Sequence, residues 1–181
     1  ADARALDLRS ARARAFIRLL RERKTVVDPT LAIFESMFTQ AQGQPDPGVA
    51  AVADHLPVQW QRGLKVAAMD LEGAKLATYR QSYQRMVELM VALHREGVTL
   101  VAGTDGLAGL GLHRELEVYV RGGIAPLEAL RIATWNAACV AGASAERGRI
   151  ARGYAADLVL IDGDPSLDIT ALRRASLVIQ G

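Results

Sequence analysis

The 181-residue chain is poor in the residues that build disulfides, metal clusters and membrane spans. It has one cysteine, Cys139, which excludes an intramolecular disulfide and any cysteine-rich zinc site. The apolar helical context of Cys139 predicts a buried, inert thiol. The three histidines, His55, His94 and His113, are 39 and 19 residues apart, so no His-x-His pair or His-Glu-x-x-His helix exists. No apolar run approaches the ~18 residues of a membrane span, so no membrane partner is expected. The formal net charge of +2 is too small to argue for nucleic acid. That charge is uneven: residues 1–24 hold seven Arg and one Lys against Asp2, Asp7 and Glu22. This cluster reads as a solvated helix face rather than a nucleic-acid patch. The first residues, Ala1–Arg4, are not the basic head and apolar stretch of a secretory signal. The chain starts inside an amphipathic pattern, as the tail of a longer protein would.

What is present is an ordinary globular composition, half hydrophobic and 23% charged, long enough for one sizeable core. Residues 3–23 carry Leu8, Ile17, Leu19 and Leu20 at helical rather than alternating spacing. Thr25 to Phe34 reads as a strand, which Pro29 cannot continue as one long ladder. Residues 40–65 are broken by Gly43, Pro45, Pro47, Gly48, Pro57 and Gly63, the pattern of a long loop that inserts or covers rather than merely connects. A helix is predicted from about Leu71 to Glu96, ended by Gly97, with His94 in its last turn where partial positive charge suits the helix dipole. Val98–Ala102 follows as a short strand, then Gly103-Thr104-Asp105-Gly106 and a glycine-rich loop to Leu112. A helix is expected over His113–Arg121, and another from Pro126 to about Ala141, proline suiting a first helical position. Strands at Leu158–Ile161 and Leu177–Ile179 close the chain. Strands alternating with helices imply parallel pairing in an α/β architecture.

Asp105 is the sharpest candidate for chemistry. In parallel α/β folds the carboxyl ends of strands converge on the ligand site, and Gly103 and Gly106 allow close backbone approach. Aspartate is equally a turn and N-cap residue, so spacing leaves both readings standing. His113 has two readings as well, substrate contact or the mere start of a helix. Asp157, Asp162 and Asp164 read as turn formers. Asp28 could face a site, and Thr30 has an equal claim.

The segments VTLVAGTDG (98–106), LHREL (112–116), GGIAPLEALRIATWNAA (122–138), GRIARGYAADLVLIDGDP (148–165) and DITALR (168–173) together resemble the end of amidohydrolase-superfamily enzymes, nearest the imidazolonepropionase-like and Xaa-Pro dipeptidase-like group. More weakly, ARAFIRLLRERKTVVDPTL (13–31) is similar to the helix and seventh strand of the barrel in that superfamily. The resemblance implies the last strands and helices of a (β/α)8 TIM barrel over 1–145, then part of a small β-sandwich over 146–181. It implies a metal-dependent hydrolase of carbon–nitrogen bonds in cyclic amides or dipeptide-like substrates, present as an incomplete chain. The family's ligands lie on strands one, four, five, six and eight, and only the last matches here, at Asp105. By resemblance Asp105 would bind a divalent metal, zinc being preferred, as one or two ions, and serve as general base. His113 and Gly106 would form part of the substrate-pocket wall. Exposed strand edges would favour association, including with further copies of the chain. The alternative class is a non-catalytic α/β binding module, or a metal-free remnant that keeps Asp105 as a turn residue.

Overall fold

The computed structural model describes residues 3–106 and 109–181; positions 107–108 of the expected glycine-rich loop, and residues 1–2, lie outside them. The fold is α/β and mostly helical, and the described residues close no barrel. Helix α1 (Ala11–Glu22) starts where the Ser10 hydroxyl accepts a bond from the Ala13 N–H, at 3.2 Å. It buries Ile17 and turns its arginines outward. Strand β1 (Val26–Val27) then pairs in parallel with β2 (Thr99–Leu100), in the register Val26↔Thr99 and Val27↔Leu100. Between them run α2 (Leu31–Thr39), a 3-10 turn (Ala50–His55), α3 (Val58–Gly63) and the long α4 (Gly73–Arg95).

Several expectations are corrected here. The strand expected to reach Phe34 stops after Val27, because Pro29 lacks an N–H, and Thr30 enters the left-handed region to open α2. The segment 40–65 is not irregular throughout, since it contains the 3-10 turn and α3. Its ends are tied by Gly43 N–H to Lys65 O and Asp46 N–H to Leu64 O, both 3.0 Å. The expected strand Val98–Ala102 contracts to β2. Helix α4 ends as expected, at Gly97 with φ +79°, and has His94 in its last turn.

After β2, helix α5 (Gly111–Gly122) packs on α2 and α4 and ends at Gly123, whose φ of +107° favours glycine. Pro126 opens α6 (Pro126–Arg131), which passes through a π turn (Ile132–Asn136) into α7 (Ala137–Val140). The single helix expected over 126–141 is thus interrupted. The expected burial of Cys139 is also wrong, because the thiol lies on the outer face of α7 and is exposed. Strands β3 (Leu158–Ile161) and β4 (Ala175–Ile179) form a separate antiparallel pair with a bulge at Leu160/Ile161, joined through a 3-10 turn (Ile169–Arg173). The core gathers Ile17, Leu31, Met90, Leu100, Tyr119 and Ile132 between the β1–β2 pair and its helices.

Candidate functional site

The chain leaves β1 and β2 on the same side, and a set of long-range side-chain bonds holds both exits. Beyond β1, the Asp28 Oδ1 accepts the Gly103 N–H at 2.7 Å. Gly103 has to be glycine, since a Cβ there would run into the Asp28 carboxyl. Beyond Asp28, the first two N–H groups of α2 have no local cap, because the Thr30 side chain makes no capping bond. They are taken by Glu115 of α5: Leu31 N–H to Oε1 at 2.9 Å and Ala32 N–H to Oε2 at 2.6 Å. Glu115 is fully buried. Burial pushes its carboxyl above the usual carboxylate range, and the two backbone bonds pull the other way.

The exit of β2 is held by side chains as well. The Tyr119 hydroxyl donates to Val101 O at 3.0 Å, and Asn136 Nδ2 of the π turn donates to Leu100 O at 3.2 Å. The π turn therefore aims an amide at the strand that bears the site. Burial and the nearby Glu115 push the Tyr119 phenol upward, so it remains a donor at neutral pH.

On this braced loop stands Asp105, exposed and in the left-handed region with φ +42°. An aspartate tolerates that backbone better than most residues. None of the described residues donates a hydrogen bond to its carboxylate. Thr104 and Gly106, on either side of it, line a cavity of about 440 Å³. Ala32, Ile33 and Ser36 of α2, Val49, Trp60 and Leu64 of the covering segment, and Gly111 of α5 form much of the rest of its wall. A larger groove of about 820 Å³ runs between α1 and α4, past Arg14, Arg18, Arg21 and Arg95. It lies toward the last turn of α4, where the chain enters β2, at the opposite end of the strand from Asp105.

The structure distributes the remaining candidates differently. His113 sits in the first turn of α5, half buried, and is not part of the cavity wall. Burial and Arg173 hold its imidazole below the usual histidine range, with Glu117 and the backbone at Gly109 and Leu172 opposing them. His55 is exposed on the covering segment. Asp157 pairs with Arg147, and Asp164 accepts from Ser166 N and Oγ at 2.9 and 2.6 Å, as a turn aspartate does. Sequence reasoning missed Glu115 and weighed Asp28 without finding its bond to Gly103. Among the described residues, no three His, Cys, Asp or Glu side chains come together as a metal site. The described residues thus form no complete metal site of their own.

Comparison with known proteins identifies the class. The sequence pattern of the amidohydrolase family matches residues 47–181, and the chain belongs to that family. It is 37% identical over 86 residues to ochratoxinase from Aspergillus niger, a match covering 46% of this chain and 18% of that protein. It is 32% identical over 119 residues to imidazolonepropionase from Rubrobacter xylanophilus, covering 62% of this chain and 29% of that one. A solved Xaa-Pro dipeptidase with methionine bound in its active site overlays with a TM-score of 0.63 at 20% identity, covering 94% of this chain and 36% of that one. The matched region is thus less than a third of each of these curated relatives and about a third of that solved structure.

Proposed function

We propose that the chain is the C-terminal part of a metal-dependent hydrolase acting on carbon–nitrogen bonds of cyclic amides or dipeptide-like substrates. In this reading β1 and β2 are the last two strands of a TIM barrel formed by residues 1–145, and residues 146–181 belong to a small β-sandwich. The observation that carries the proposal is the placement of Asp105: an exposed carboxylate on the braced loop that follows a parallel strand, beside a cavity and inside the family-matched segment.

A carboxylate so placed can accept a proton from an attacking water and pass it to the leaving amine. Among the described residues no donor competes for its oxygens. Asp28, through Gly103, limits how far the loop can move. Gly106, which lines the cavity, is proposed as a substrate contact; His113, off its wall, is not. Asp105 is also proposed to give one donor to a divalent metal, zinc by preference, whose other donors come from residues outside these 181.

The test is to incubate the full-length protein with Xaa-Pro dipeptides, N-acyl amino acids and cyclic amides, and to follow release of free amine. Release is expected, with loss on chelation and recovery on adding zinc. A folded full-length protein that releases no amine from any of these would contradict the proposal and favour a non-catalytic module.

A further inference from the structure

The cavity beside Asp105 has a chemical character of its own. Ala32, Ile33, Val49, Trp60 and Leu64 give it an apolar interior. Its two polar side chains other than threonine are already engaged with each other and with the backbone. The Ser36 hydroxyl donates to Asp46 Oδ2 at 2.8 Å, and the Gly48 N–H donates to Asp46 Oδ1 at 2.7 Å. Each Asp46 oxygen thus already accepts one hydrogen bond from the protein, and the charge of Asp46 disfavours an anionic ligand. Trp60 presents a half-exposed indole to the cavity, 52% accessible, a large apolar ring with area still to bury.

The roof is preformed. Besides the bonds that tie residues 43 and 46 to residues 64 and 65, Gln40 Nε2 donates to Gln44 O and Leu64 O, at 2.8 and 2.7 Å. Gln40 is itself buried. The floor is close-packed: a Cβ on Gly111 would meet the Thr104 Cβ at 2.9 Å, so glycine lets α5 begin against the loop that bears Asp105. At about 440 Å³ the space lies within the range of small-molecule sites, ~300–1,000 Å³.

We infer that this cavity is a specificity pocket that receives an uncharged apolar group, aromatic or branched aliphatic, carried by the amide substrate next to its scissile bond. The inference rests on the hydrolase reading for the identity of the scissile bond, but the pocket's selectivity can be read by binding alone. Trp60 is its principal contact, and Asp46 is the residue that turns away a carboxylate-bearing group.

The experiment uses the full-length protein and three probes: N-acetylphenylalaninamide, N-acetylglycinamide and N-acetylaspartate amide. Their dissociation constants are measured by calorimetry, in the wild type and in Trp60→Ala. The wild type is expected to bind the phenylalanine probe at least ~10-fold more tightly than the other two, the scale on which apolar pockets discriminate. Trp60→Ala is expected to shrink that ratio toward one, with circular dichroism showing a folded protein. Equal binding of the three probes by the wild type overturns the inference without need of the variant, as does a folded Trp60→Ala protein with undiminished selectivity. Selective binding without hydrolysis of any amide would support the pocket and remove only the hydrolase reading. Hydrolysis without apolar selectivity would do the reverse.

Discussion

At the exits of β1 and β2, backbone groups end on side chains from distant segments: Gly103 on Asp28, Leu31 and Ala32 on Glu115, Leu100 on Asn136, Val101 on Tyr119. In the hairpin β3–β4, the backbone pairs with its own antiparallel partner, and every residue of β4 from Ala175 to Ile179 is exposed. The hairpin leaves Leu160 and Val178 largely in solvent, whereas the strand exits bury a carboxylate completely. A two-stranded parallel pair is too small to hold its own loops in place, and long-range polar bonds fix them around the proposed site. The hairpin needs only its local ladder. Positioning and support are thus built from different interactions in one chain.

That contrast can be broken in several ways. The largest expected effect on stability is from Glu115→Ala, which leaves two buried N–H groups without a partner. It should lower unfolding free energy by about 3 kcal/mol in a denaturant titration, whereas Glu115→Gln, which keeps an acceptor, should lose less. Ionisation of Glu115 adds a pH signature. Its folded pKa is raised, so the folded state holds the proton more tightly, and its contribution should decline as pH rises from the unfolded carboxylate value through the folded one. That slope should vanish in Glu115→Gln.

Gly103→Ala comes next. It forces the Asp28 carboxyl away and loosens the loop that bears Asp105, so turnover of the full-length protein should fall roughly 10- to 100-fold. Asp28→Asn alone retains an oxygen acceptor for the Gly103 N–H and should keep most of the wild-type rate.

Val178→Asp tests the other side of the comparison. If the hairpin face is covered within a β-sandwich of the full-length protein, stability should fall by about 1–2 kcal/mol, with turnover of the folded fraction unchanged. A change within about 0.5 kcal/mol would be that of an ordinary surface position and would remove the sandwich from the account.

The smallest effect belongs to His113. Its folded pKa lies below the usual 6.5, so the unfolded chain takes up the proton first, and the stability it contributes is lost as pH falls through that value. The drop in melting temperature between pH 7 and pH 6 should be slightly smaller in His113→Gln than in the wild type.

Much of the helical frame was legible because it follows local rules. Gly97 and Pro126 mark helix limits by backbone chemistry alone, and the buried face of α4 recurs at helical spacing. Asp105 stood out by its place after an apolar run. The bracing around it was hidden because its partners are remote. Glu115 is 84 residues from Leu31 and reads as one more charge in Leu112-His113-Arg114-Glu115-Leu116. Thr30 is itself a common N-cap residue, so the need for a distant acceptor at the start of α2 left no mark in the sequence. The interruption at Ile132–Asn136 had no signal in spacing; Asn136, polar within an apolar helix, was the trace it left. Cys139 was misjudged because apolar neighbours in sequence do not fix which face of a helix a residue occupies.

The central claim is that the Asp105 carboxylate performs proton transfer in a hydrolytic site. Its most direct test is the turnover of the full-length protein bearing Asp105→Asn, measured on the best amide substrate beside a thermal melt. Because Asp105 is exposed and no described residue donates to it, the melt should be unchanged. Amine release should fall by about 10²–10⁴-fold. Wild-type turnover in the folded variant would contradict the account.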